Sequence, residues 1–347
     1  MNDSTPRPRG RRTFTAFGEV RRMPSEYEIV THAQNWTTRQ GRSAPLEQNP
    51  SSAGNLWFVT YREQSPLQAE DWEKFRDPDA MTYRAYVNAQ AESEAKIHGV
   101  LEEYADLGAD AKLDPAWIET LGTLLTPSRY YVHGCQQVEA YIGYMAPTSY
   151  ITNAAGLSTA DFLRRVTTIA YRTRTLQLAH PDAGIGTSRE RSLWQKHEGW
   201  QPVRRAIESV LATYDWGEAF TALNLVILPT LDDVLTRQLG EVAVANGDNL
   251  TWLVQRFLAA DEQRRGRWSR ALADFAAQQR PASGAAVHQW IRRWTPFADE
   301  AAAGLGSILA TVPTQRRSVD DIVAGASAAR EAFLDGLASS GDTTVAV

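Results

Sequence analysis

From Asp77 to about Leu107 the chain carries no helix-ending signal beyond an isolated Gly99, and its one proline there, Pro78, falls where a helix can begin. Asp77-Pro78-Asp79 reads as a helix start, with proline in the first turn where its missing N–H costs nothing. Downstream, Ile97, Val100, Leu101 and Tyr104 recur at i, i+3, i+4 and i+7 and so share one face. Roughly thirty residues at ~1.5 Å each would span about 45 Å, long for a globular helix. A chain that commits so much length to one helix can bury the apolar stripe only against other long helices, which means a bundle.

The rest of the sequence repeats that pattern. A second helix is expected from Ser158, with Asp161 three residues on in a variant of the capping box. Phe162, Val166, Ile169, Ala170 and Thr173 form its inner stripe, Arg164, Arg165, Arg172 and Arg174 point elsewhere, and Pro181-Asp182-Ala183-Gly184 stops it. Further helices are expected around 114–126, 128–145, 200–214, 216–244, 248–279, 284–312 and 318–338, with Gly304 and Pro313 interrupting the late ones. The stretch 220–228 is nearly all apolar, which predicts a helix buried on most sides. The sequence shows no alternating strand pattern, internal repeat or interdomain linker. Residues 1–56, rich in Pro, Ser, Asn and Gln, are expected to form an extended arm, 57–338 one helical domain and 339–347 a frayed tail.

Hydrophobic residues make up 43% of the 347, enough for a sizeable core, and eleven tryptophans suit both a core and an obligate interface. A lone Cys135 cannot form an internal disulfide, which fits a reducing cytosol. Without an apolar run near eighteen residues or a hydrophobic signal core, the expectation is a soluble cytoplasmic protein with no membrane contact. Charge is −5 overall, but Arg7, Arg9, Arg11, Arg12, Arg21 and Arg22 stand against only Asp3 and Glu19 in 1–22, about +4. Such an arm could meet nucleic acid. No nucleic-acid module follows it, so the arm is read as docking on an acidic partner or staying mobile, with no nucleic-acid partner. Phe14, Phe17, Tyr27 and Trp36 are spaced along the arm, and an arm with spaced aromatics lies against its own body or another subunit.

Long-helix bundles hold carboxylate-bridged di-iron centres, which need two Glu-x-x-His pairs on facing helices. None of the six histidines follows a glutamate by three; the residues at those places are Ile29, Ala95, Tyr130, Gln177, Trp194 and Ala285. His-x-x-x-His and Cys-x-x-Cys are missing too, so no zinc site is expected. Glu94 and His98 read as an ordinary polar helical pair, and His197-Glu198-Gly199 as a helix end or loop. Cys135 reads as a buried structural thiol. Gly184-Ile185-Gly186-Thr187 lacks the spacing and lysine of a phosphate loop, and no Gly-x-Ser-x-Gly elbow occurs. Asp215 and Glu218 are expected to cap the most apolar helix, and Tyr144, Met145, Tyr150 and Tyr171 to be core rather than a substrate pocket.

Several segments carry a resemblance when taken in order: Pro24-Ser25-Glu26-Tyr27-Glu28-Ile29-Val30, Phe75-Arg76-Asp77-Pro78-Asp79, and Met145-Ala146-Pro147-Thr148-Ser149-Tyr150-Ile151-Thr152-Asn153. Thr159-Ala160-Asp161, Ile169-Ala170-Tyr171-Arg172-Thr173 and His180-Pro181-Asp182-Ala183-Gly184 follow. Asp215-Trp216-Gly217-Glu218-Ala219-Phe220, running into Leu223-Asn224-Leu225-Val226, completes the set over roughly residues 13–300. In these the chain resembles the β subunit of the hydroxylase of bacterial multicomponent di-iron monooxygenases, particularly the toluene, alkene and isoprene group. The resemblance implies an all-α, ferritin-like long-helix bundle lacking the di-iron ligands. It implies α and γ subunits in an (αβγ)2 assembly, an effector protein, a Rieske-type ferredoxin and an NADH reductase. It places the di-iron centre in the α subunit, and NADH, FAD and iron–sulfur clusters in the electron-transfer partners.

The resulting expectation is a non-catalytic subunit with no catalytic, metal or cofactor-binding residue of its own, scaffolding a di-iron α subunit that epoxidises alkenes or hydroxylates aromatics. Phe14, Phe17, Tyr27, Trp36, Trp57 and Tyr61 are the residues expected at the α contact, together with the long helix from 79. The rival from another class is a self-contained helical metalloenzyme using Glu92, Glu94, His98, Glu139 and Glu218.

Overall fold

The computed structural model describes residues 24–31, 53–312, 314 and 317–337. The arginine arm, Phe14, Phe17, Trp36, Pro313 and the tail 339–347 lie outside the described residues. All regular structure among the described residues is helical. In chain order the elements are α1 Glu26–Thr31, α2 Ala53–Phe58, α3 Tyr83–Asp106, α4 Pro115–Thr120, α5 Ser128–Met145, α6 Ser149–Ala179, α7 Thr187–Lys196 and α8 Gln201–Leu211. Then come α9 Trp216–Phe220, α10 Leu228–Asp232 and α11 Leu239–Ala245, followed by α12 Asn249–Gln279, α13 Pro281–Leu309 and α14 Val319–Leu334.

The stretch predicted to be buried is the centre of the bundle. α9, α10 and α11 form one unbroken run, Trp216–Ala245, joined by wide π-helical turns at Thr221–Ile227 and Asp233–Gln238. By length and composition this run could cross a membrane, so the sequence does hold one long apolar segment after all; 94% of its most apolar window is buried by the surrounding helices. It packs against α12, α13 and α14, with α5 and α8 also in contact. α5 and α6 form the most extensive pair, a hairpin turned at Ala146-Pro147-Thr148.

Most boundaries fall within a few residues of expectation, and the departures have physical causes. α3 starts at Tyr83, where the Thr82 hydroxyl caps the Ala85 N–H, and not at Asp77. Asp77 instead accepts from the Asp79 N–H at 3.0 Å and closes a turn in which Ala80 takes φ +45. α6 begins at Ser149, capped by Thr148, so Ser158 and Asp161 lie inside it. The i,i+3 spacing of a capping box is also the spacing of two residues on one helical face. Here that face is buried against α12, Ser158 accepting from Trp268 Nε1 at 3.0 Å. Arg165 and Arg172 are likewise buried, against the expectation that all four arginines face away, because acids on other elements meet them. α2 crosses into the expected domain start at 57, and α7 went unforeseen.

Gly304 does not interrupt a helix; it lies inside α13 and lets another backbone approach. A Cβ there would sit 2.4 Å from the Gly199 carbonyl oxygen, and a Cβ on Gly199 2.7 Å from that of Gly304. The two glycines seat the turn before α8 directly on α13.

Candidate functional site

The bundle interior contains a charged centre built by three helices. α6 supplies Asp161 and Arg165, α10 supplies Asp232, and α12 supplies Glu262, Arg264 and Arg265. Arg264 pairs with Asp161, which also accepts from the Tyr86 hydroxyl of α3 at 2.9 Å. Arg265 pairs with Asp232. Arg165 bridges Glu262 at 2.6 Å and Asp232 at 3.3 Å, and donates to Thr236, whose hydroxyl donates in turn to Glu262 at 2.6 Å. The second π-helical turn carries Thr236, and the first carries Asn224, which donates to Glu139 of α5 at 2.9 Å.

Burial sets the electrostatics. Removal from water pushes Asp161 up to about 7, against the pull of Arg264. It does the same to Glu262, reinforced by Asp232 and opposed by Arg165 and Arg265. Glu139 is fully buried and burial also lifts it to about 7, with Asn224 the main opposing influence. For Arg165 and Arg265 burial favours the neutral form, but the facing carboxylates prevail and both stay firmly charged.

The donor chemistry does not fit a di-iron centre. Instead of Glu-x-x-His, the two helices that meet at this centre read Asp161-x-x-Arg164 and Glu262-x-x-Arg265. A guanidinium has donors only and no lone pair for a metal, and Asp161 and Glu262 are themselves taken up by Arg264 and Arg165. No group of three or more His, Cys, Asp or Glu side chains that could hold a metal ion occurs among the described residues. Sequence reasoning tested histidine spacing and missed this acid-x-x-arginine signal, although it was present in the text.

The five residues of the metalloenzyme rival are not brought together. Glu92 is exposed on α3. Glu94 and His98 form the expected i,i+4 pair at 3.6 Å, and Glu94 also meets Arg164 at 2.9 Å. Glu218 accepts from Trp294 Nε1 at 3.1 Å and pairs with Arg293 at 2.9 Å. Asp215 alone caps α9, accepting from the N–H groups of Gly217 and Glu218 at 3.0 Å, so the shared capping role foreseen for Glu218 is not observed. Cys135 is buried, and burial pushes its thiol well above the usual range. His197 is a cap, its Nδ1 accepting from the Gly199 N–H at 3.1 Å. Tyr144 and Tyr171 are exposed while Met145 and Tyr150 are buried, so only two of those four are core.

An aromatic surface forms where α2 meets the C-terminal half of α5. Trp57 stacks near Tyr61 and Tyr214, with ring centroids 4.6 and 4.8 Å away, and donates to the Tyr141 hydroxyl at 3.0 Å. Tyr141 donates its own hydroxyl to the Tyr214 carbonyl, and burial raises that hydroxyl to about 12. Trp57 and Tyr61 are half-buried, whereas Tyr214 and Tyr144 are exposed. Tyr27 lies buried beside Tyr150, centroids 5.6 Å apart.

A family model described as methane/phenol/alkene hydroxylase matches residues 57–280. The β subunit of the hydroxylase component of the toluene-4-monooxygenase system of Ectopseudomonas mendocina is 39% identical over 300 residues, 86% of this chain and 91% of that protein. The hydroxylase component small subunit of propane 2-monooxygenase from Gordonia sp. is 25% identical, covering 71% and 68%. A chain of toluene 4-monooxygenase, solved with toluene bound in the resting active site, superposes with a TM-score of 0.82 at 37% identity, over 88% of this chain and 100% of that one. An all-helical bundle whose central carboxylates are held by arginines is thus found in a sequence matched to these proteins over most of its length, and the chain belongs to the family of hydroxylase β subunits of multicomponent di-iron monooxygenases.

Proposed function

We propose that this chain is the non-catalytic scaffold of a hydrocarbon-oxidising hydroxylase, holding in place a separate α subunit that carries the di-iron centre. The arginine-neutralised centre carries this reading. Its carboxylates are committed to ion pairs that fasten α6, α10 and α12 together. The whole complex takes electrons from NADH through an FAD and iron–sulfur reductase and a Rieske-type ferredoxin, under control of an effector protein. A γ subunit completes an (αβγ)2 assembly in the cytoplasm. The substrate is an alkene or an aromatic hydrocarbon, selected by the α subunit. Trp57 and Tyr61 belong to the α contact, together with the arm preceding them.

Co-expression with the di-iron α subunit, followed by mass and metal analysis, tests the assignment. The expected result is a stable complex in which iron follows α. Stoichiometric iron retained by this chain alone after chelation would overturn it in favour of a self-contained metalloenzyme.

A further inference from the structure

Among the described residues the apolar interior falls into a main core and a small separate cluster, in which Ile97 and Leu101 of α3 pack with Leu250, Val254 and Leu258 of α12. At the seam between them lies a cavity of about 10 Å³, walled by Leu125 and Ile169 from the main core and by Val254 and Leu258 from the small cluster. That is close to the least room a water molecule needs. Arg172 of α6 and Thr251 and Gln255 of α12 share the lining, and each is more than nine-tenths buried. Arg172 engages Asp110 through both terminal nitrogens and Thr175 through one of them, which leaves its Nε–H without a partner among the described residues. The Thr251 hydroxyl and Gln255 Oε1 have no partner among them either. Thr168, the remaining lining residue, returns its hydroxyl to the Arg164 carbonyl at 3.0 Å.

We propose that this cavity is a binding site for one ordered water molecule, which joins α6 to α12 where apolar contact between the two clusters gives out. The pattern of donors and acceptors selects the ligand. Arg172 Nε–H can only donate, the Thr251 hydroxyl can donate, and Gln255 Oε1 can only accept. A water molecule matches that set by accepting twice and donating once, and buried waters make about three hydrogen bonds. An anion would suit the two donors but meet the lone pairs of Gln255 Oε1, and a metal cation would lie against the Arg172 guanidinium. Without the water, a charged donor and an amide acceptor would both stay desolvated and unpaired, which costs the full desolvation of each. Size alone does not make such a site. A second cavity of about 10 Å³ shares Leu258 and is lined by Asp161, Arg165, Asp261, Glu262 and Arg265, yet none of their buried side-chain atoms lacks a partner. Arg172 holds Asp110, in the turn that follows α3, at 2.8 and 2.9 Å, so the same water also ties that turn to α12.

A crystal structure of the full-length wild-type chain, at a resolution that shows ordered water, tests the site directly. It is expected to show a single peak at about 2.7–3.2 Å from Arg172 Nε, Thr251 Oγ1 and Gln255 Oε1. A direct Arg172–Gln255 hydrogen bond with the cavity closed would overturn the site. So would anomalous density there after bromide soaking, which marks an anion. In solution, a double-mutant cycle on chemical unfolding reads the bridge between the two helices. Arg172→Lys keeps a cation for Asp110 and removes the Nε–H, while Gln255→Met keeps the shape and removes the acceptor. Their effects should be coupled by about tenfold in the unfolding equilibrium constant, and strictly additive effects would overturn the bridge. Should a variant fail to fold, the wild-type crystal structure decides by itself.

Discussion

Glu139 shows how one side chain links burial to pH. Its carboxyl is fully enclosed, one oxygen accepts from Asn224 and the other has no hydrogen-bond partner. In the unfolded chain a glutamate titrates near 4.3, while in the fold burial lifts it to about 7. The folded state therefore binds the extra proton between those values. The stability gained from this site is full below the unfolded value and is lost as pH rises through about 7. Glu139→Gln preserves the acceptor for Asn224 and removes the charge. The variant should be more stable than wild type by about 1–3 kcal/mol at pH 8, with the difference shrinking towards pH 5. Denaturant titration at the two pH values measures this. At Gly304 the constraint is space: Gly304→Ala drives a methyl into the Gly199 carbonyl, which is backbone and cannot rotate away. A loss of about 1–3 kcal/mol is expected, read as a fall in melting temperature. Neither residue announces its role in the sequence. Glu139 looks like any helix glutamate and Gly304 like an interruption, because the partners that define them lie 85 residues away in one case and on a different element in the other.

At the scale of elements, the π-helical turns and the arginines act together. The extra residue in each wide turn lets the run Trp216–Ala245 present Asn224 and Thr236 to acids on α5 and α12 while remaining continuous. Asp232 then sits between Arg165 and Arg265, closing the link from α10 to α6 and α12. Removing one partner leaves a buried charge uncompensated, which costs about 3–5 kcal/mol. Arg265→Leu should accordingly destabilise far more than the combined Arg265→Leu/Asp232→Leu change, and a double-mutant cycle on chemical unfolding measures the coupling. A double-variant loss equal to the sum of the two single losses would show that the pair contributes no coupling. The helix ends follow simpler rules. Thr148→Ala removes the α6 cap and should cost about 1 kcal/mol. The true start of α6 could have been read from Pro147-Thr148; the Ser158…Asp161 spacing obscured it, since periodicity alone cannot separate a cap from a buried face.

For the whole molecule, the division of interior and exterior explains why the chain works as a part of something larger. Its interior polarity is spent on ion pairs between its own helices, and part of its exterior, along α6 and around Trp57, is apolar without a covering element of described structure. Truncating about the first 55 residues is expected to weaken recovery of the α subunit, because it removes the arm proposed for the α contact. Assembly at full yield would show that the arm plays no part in the contact. Mutations across this chain should alter the amount of assembled hydroxylase before they alter its turnover per iron, which parallel iron quantification and activity measurement would separate.

The sequence by itself determined the helical class, the number and approximate length of the long helices and the burial of 220–228. It also showed that the Glu-x-x-His pattern is missing. Each of these is a local or periodic property, decided by which residues recur along a few turns. Tertiary structure alone decided which charges meet. Asp161 and Arg264 are 103 residues apart, and Arg165 and Glu262 97. It also decided that Gly304 is a contact and not a break, and that α6 keeps an apolar side facing outward. Those outcomes depend on how helices pack across the bundle, and helix periodicity specifies a face without naming what lies opposite it.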